Sequence, residues 1–156
     1  MQTRRFMNRM SLAVVTLTAI VAVVAISGCG MMNQSSNMTT FTTQLRGRNE
    51  VPPATSSGSG SVDAVFDKNT NLLRWKVNYA GLSGPATAGH FHGPAVIGAN
   101  TGVALPWPNP LSSPIEGSAT LTAAQAADLM AGRWYANIHT AANPSGEVRG
   151  QMTVRN

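Results

Sequence analysis

Hydrophobic and polar positions follow two rhythms along this chain. From Leu12 to Ile26 the residues are nearly all apolar, with no alternation (LAVVTLTAIVAVVAI). Past residue 40 the apolar positions fall every second residue, in short runs separated by Pro, Gly, Asn and Ser. Period two sends successive side chains to opposite faces of a strand. The clearest run sets Leu73, Trp75, Val77 and Tyr79 on one face, with Arg74, Lys76 and Asn78 opposite. Ser61–Asp67 does the same through Val62, Ala64 and Phe66, and Phe41–Leu45 makes a first strand. Pro52 and Pro53 mark the following stretch as an edge or loop, because proline has no amide donor. Gly81–Gly89 reads as a loop, His90-Phe91-His92 as a short strand and Gly93–Pro114 as the longest irregular stretch. Ile115–Leu121, Trp134–His139 and Glu147–Val154 complete the strands, the last two joined by a turn at Asn143–Gly146. Residues 122–131 break the pattern. Thr122 and Gln125 form a capping box, alanines carry a helix, and Gly132 suits the left-handed position after it. Many short strands, one small helix and no repeat predict an all-β, antiparallel β-sandwich.

The unbroken apolar run belongs to a leader. Arg4, Arg5 and Arg9 precede it with no acid among the first ten residues, and Ser27 and Gly28 follow. A basic start, a short apolar stretch and small residues before a cut site describe a secretory signal peptide over residues 1–28. The run covers about fifteen residues, whereas spanning a bilayer core takes roughly 20. Ile26-Ser27-Gly28-Cys29 resembles a bacterial lipobox, which implies that Cys29 carries lipid and holds the mature protein to a membrane. The other readings are an uncleaved anchor, or cleavage that leaves Cys29 free. Gly30 stands where an aspartate would signal inner-membrane retention. In a Gram-negative host the expected location is the periplasmic face of the outer membrane. Residues 29–40 (MMNQSSNMTT after Cys29-Gly30) read as a flexible tether. Residues 41–156 make one domain of about 115 residues.

Removing the leader changes the electrostatic picture. The full chain has 11 basic and 6 acidic residues, a net +5; losing three arginines leaves 8 against 6, or +2. So small a charge, scattered along the chain, excludes a nucleic-acid partner. With a single cysteine, no intrachain disulfide forms, and the exported domain must rest on its apolar core.

Three histidines carry the candidate chemistry. His90 and His92 are two apart, so on a strand their rings leave the same face. His139 lies in line with Tyr135 and Asn137 on a later strand. Imidazoles brought together this way suit copper, zinc, iron or nickel. The alternative is that they are hydrogen-bonding residues fixing turns. Glu50 and Glu147 are candidate acceptors that orient a histidine ring, or else surface partners of Arg46, Arg48 or Arg149. Trp107, between two prolines, either covers a site or pins its loop to the sandwich. No nucleophile elbow, phosphate loop, dinucleotide fingerprint or zinc-protease helix occurs.

Four segments in order resemble the CHRD (chordin-type) domain: Asn49-Glu50-Val51-Pro52-Pro53, Ala88-Gly89-His90-Phe91-His92-Gly93-Pro94-Ala95, Tyr135-Ala136-Asn137-Ile138-His139-Thr140 and Gly146-Glu147-Val148-Arg149-Gly150-Gln151. The resemblance implies an immunoglobulin-like Greek-key sandwich distantly similar to copper–zinc superoxide dismutase. Gly89-His90-Phe91-His92 is similar to the dismutase strand bearing a copper-binding pair, Ile138-His139-Thr140 to another copper segment, and Arg149 to an active-site arginine. A bridging histidine, further zinc ligands and a disulfide are missing, so full dismutase chemistry is not expected. The resemblance implies a lipid-anchored envelope binding protein holding copper, before zinc, through His90, His92 and His139, with Glu50, Glu147 and Arg149 behind them. Its alternatives are a metal-free module contacting an envelope protein, and a weak copper-dependent redox enzyme.

Overall fold

The structure, a computed structural model, describes residues 37–155. The leader, Cys29 and most of the tether lie outside those residues. The described chain runs β1 (Met38–Arg46), β2 (Ser59–Asp67), β3 (Leu72–Ala80), β4 (Ala86–His92), β5 (Val103–Pro106), β6 (Ile115–Thr120), α1 (Ala123–Met130), β7 (Tyr135–Thr140), β8 (Val148–Gln151) and β9 (Thr153–Val154). All strand pairs are antiparallel, in the order β5-β4-β7-β8-β1-β2-β3-β6, with β9 added to β1. The two halves meet only along β1, at Arg46 opposite Arg149 of β8 and at Phe41 and Thr42 opposite Val154 and Thr153 of β9.

That narrow junction lets the sheet curl, so that the apolar faces of both halves close on one core. Val62, Ala64 and Phe66 of β2 and Leu73, Trp75 and Val77 of β3 share it with Phe91 of β4 and Ala136 and Ile138 of β7. Each large apolar side chain so buried contributes about 1.5–3 kcal/mol. The all-β sandwich expected from the alternation is what the chain forms.

Four boundaries differ from the sequence reading. β1 takes in Met38–Thr40, assigned there to the tether, because β2 extends far enough to pair with them (Met38 opposite Asp67). β4 begins at Ala86 inside the expected loop, held by pairing with β7. The irregular stretch contains β5, an edge strand whose half-exposed residues show no alternation to read. The last strand divides at Met152, whose amide bonds to Trp134 while the residues beyond turn to β1. The helix has the expected capping box, and Gly132 adopts φ 69°.

Candidate metal centre

Strand β4 sets the histidines through its opposite face. Gly89, Phe91 and Gly93 point inward, and Phe91 packs on three indoles: Trp107 at 5.3 Å, Trp75 at 5.4 Å and Trp134 at 5.8 Å between ring centroids. The glycines make room for two of these rings. A Cβ at Gly89 would stand 2.3 Å from Trp107, and one at Gly93 2.3 Å from Trp134. Trp107 is buried and bonds its amide to the Gly89 carbonyl, so it pins the loop to the core. With one face of β4 clamped, His90 and His92 project together from the other.

Strand β7 completes the cluster. In register Asn137 stands opposite His90, and Ala88 opposite His139. The rings of His90, His92 and His139 each offer a nitrogen, all within 4.8 Å of one another. His90 Nδ1 is 3.3 Å from His139 Nε2. Two further bonds decide which nitrogens face inward. His92 Nδ1–H donates to the Thr101 carbonyl at 2.9 Å, and His139 Nδ1–H to the Pro144 carbonyl at 3.0 Å. A carbonyl only accepts, so each Nδ1 carries a proton, and in the neutral tautomer this selects, each Nε2 presents its lone pair. Both Nε2 atoms point at the Asn137 side chain, whose Oδ1 lies 3.1 Å from each.

Burial favours the neutral form of His90 and His92. Desolvation, with the charges of His139 and His92 behind it, pushes the His90 imidazole down to about 4. Burial also lowers His92, against the opposing hydrogen bonds from the Thr101 carbonyl and Asn137. Neutral imidazole is the form that ligates, and three such nitrogens suit a borderline ion such as copper or zinc.

A stack stands beside the cluster. The His92 ring lies parallel to Tyr135 at 4.7 Å, with 2° between planes, and the Arg149 guanidinium sits 3.4 Å over the tyrosine's ring centroid. Arg149 also donates to Asn100 Oδ1 at 2.7 Å and the Ala99 carbonyl at 2.6 Å. The arginine thus fixes the covering loop and, through Tyr135, the plane of His92. It touches no histidine directly.

The two carboxylates behave differently from either reading of the sequence. Glu147 is fully buried and, among the described residues, bonds no histidine and no arginine. It accepts from Ser56 Oγ at 2.7 Å, the Ser83 amide at 2.8 Å, and Ser83 Oγ and Thr140 Oγ1 at 2.5 Å each. Burial pushes its pKa up, but the hydroxyls of Ser83, Thr140 and Ser56 and the Ser83 amide outweigh that and hold it at about 2. These donors lie up to 91 residues away in sequence, so no local pattern announced them. Glu50 is only 5 % exposed, and its Oε1 has no hydrogen-bond partner among the described residues. Burial raises its pKa to about 7 despite the Arg149 charge and the Asn137 amide, which pull the other way. It stands behind Asn137, against no histidine. A cavity of about 360 Å³ beside it is lined by Glu50, Arg149, Gln151 and Ile97 among others, but not by the histidines.

Sequence reasoning missed Asn137, Thr101 and Pro144 as parts of the site. Only Asn137 left a signal, sharing the alternation of Tyr135 and His139. No curated protein and no solved structure matches the chain, so the dismutase likeness gains nothing from either. The model of the CHRD domain matches residues 41–152, most of the chain, which therefore belongs to the CHRD domain family.

Proposed function

We propose that this chain is a binding module of the cell envelope that holds a copper-type ion through His90, His92 and His139 and is anchored by lipid on Cys29. The observation that carries the reading is the convergence of three ring nitrogens within 4.8 Å. Two of those rings have their outer nitrogens tied to backbone carbonyls, an arrangement typical of ligating histidine. Bound there, copper would be held by the three imidazoles, and its role would be sequestration, delivery or redox protection. The anchor rests on the lipobox resemblance alone.

Copper and zinc uptake by the purified full-length protein, beside the double variant His90→Ala/His92→Ala, tests the site. One equivalent of copper, lost in the variant, is the expected result. Binding of neither metal overturns it. For the anchor, Cys29→Ser should move the protein from the membrane to the soluble fraction.

A second reading, a metal-free interaction module, is favoured by Val96 and Ile97. They are 67 % and 81 % exposed on the loop that covers the histidine face. It becomes the working reading if no metal binds.

A further inference from the structure

We infer that Asn137 supplies a fourth ligand to the histidine centre through its side-chain oxygen, an inference that rests on the metal reading above. Asn137 is 3 % exposed, and its side chain lies between His92 and His139. Its Oδ1 stands 3.1 Å from the Nε2 of each, and His139 Nε2 stands 3.3 Å from His90 Nδ1. Four donor atoms are thereby linked in a chain of three short separations.

Those separations match the edges of a coordination shell. Imidazole nitrogen binds such ions at about 2.0–2.1 Å, which places neighbouring donors about 2.9 Å apart at right angles and about 3.4 Å apart at the tetrahedral angle. The observed 3.1 and 3.3 Å fall between. The widest histidine separation is bounded at 4.8 Å. A pair on opposite sides of the ion needs about 4.1 Å, so closure asks for a small ring movement at most.

The proton count points the same way. Thr101 and Pro144 take the Nδ1 protons, so both Nε2 atoms bring lone pairs, and an amide oxygen brings only lone pairs as well. No proton is available to either contact between Nε2 and Oδ1. A cation at the centre satisfies all of these atoms at once. The carboxamide oxygen of Asn137, already placed between the two Nε2 atoms, completes the shell. A site completed this way takes a four-coordinate, borderline divalent ion into a neutral shell of three imidazoles and one amide. With the fourth position filled by protein, it is a holding site and not an open one.

The test titrates full-length wild type, Asn137→Ala, Asn137→Asp and His90→Ala/His92→Ala with Cu(II) and with Co(II). It reads affinity by calorimetry, the Cu(II) parallel hyperfine coupling by electron paramagnetic resonance, and the Co(II) visible bands. Asn137→Ala is expected to keep one equivalent but weaken it on the order of 10- to 100-fold, with altered Co(II) bands as water replaces the amide. Asn137→Asp, close to isosteric, is expected to change the Cu(II) hyperfine coupling because an anionic oxygen replaces a neutral one. It decides the matter should the alanine variant not fold. Unchanged spectra in both variants, with metal still bound through the histidines, overturn the asparagine ligand and leave the three-histidine reading standing. Failure of wild type to bind either ion overturns both.

Discussion

Replacing Glu147 with glutamine measures what one buried carboxylate contributes to this fold. The wild-type group accepts bonds from Ser56, Ser83 and Thr140, which belong to three separate segments. Its pKa of about 2, against 4.5 for an unperturbed glutamate, is a difference of about 2.5 units, or about 3 kcal/mol at 1.4 kcal/mol per unit. Glutamine keeps one acceptor and turns an NH₂ group toward hydroxyls that must then reverse their bonds. At pH 7 the variant should be less stable by about 3 kcal/mol, lowering the melting temperature on the order of 10 °C. The sign with pH follows from the depressed native pKa. The carboxylate's contribution is complete above the unfolded value near 4.5 and is lost as pH falls toward 2. At pH 3 about half of the gap between wild type and variant should remain. Denaturant unfolding of both proteins at pH 7 and pH 3 gives the four numbers needed. A gap under about 1 kcal/mol at pH 7, or one that does not narrow at pH 3, would refute the reasoning.

Glu50 should show the opposite sign. Its pKa is raised to about 7, so wild type loses stability as pH climbs from 4.5 to 7, and Glu50→Gln should gain about 2–3 kcal/mol at pH 8 but little at pH 4, read by the same unfolding curves. Gly93→Ala drives a Cβ into Trp134. It should cost about 1–3 kcal/mol, as overpacking does, and weaken copper uptake by shifting His92; a fully stable variant would show that the indole has room to move. Thr122→Ala removes the cap of α1 and should cost about 1 kcal/mol in thermal melts with no effect on metal uptake. Arg149→Leu keeps bulk over Tyr135 but removes the bonds that hold the covering loop at Ala99 and Asn100; faster amide exchange across residues 95–101 is the readout.

The strands with one wet face were legible because alternation survives there. Leu72–Ala80 shows buried and exposed residues in strict turn, and its sequence shows the same. Tyr135–Thr140 is buried on both faces except at His139, so its alternation is of chemistry rather than of exposure. Ala136 and Ile138 face the core, while Tyr135, Asn137 and His139 face the site. The three histidines could be listed from the sequence, but the bonds that select their tautomers could not. Thr101 lies in an irregular loop and Pro144 in a turn, and both act through backbone carbonyls that no residue type advertises. Glu147 failed for a related reason: a carboxylate's environment is set by whatever folds onto it, here segments from the far end of the domain.

The division of labour within Gly89–Gly93 explains how a small domain can hold such a histidine cluster in place without a disulfide. A binding constellation needs its groups held to about half an ångström by packing and hydrogen bonds. The inward residues supply that through Phe91 and its three indoles, and aromatic contacts of this kind are worth about 0.5–1.5 kcal/mol each beyond the area they bury. The outward rings are then held to different degrees. His92 is fixed twice, by the Thr101 carbonyl and by its stack on Tyr135, and His139 by Pro144. His90 is half-buried and has only His139 as a hydrogen-bonding neighbour among the described residues. Any closing movement therefore falls to His90, the ring with the fewest bonds to break. The two better-held histidines and Asn137 form the fixed side of the cluster, and His90 its movable side.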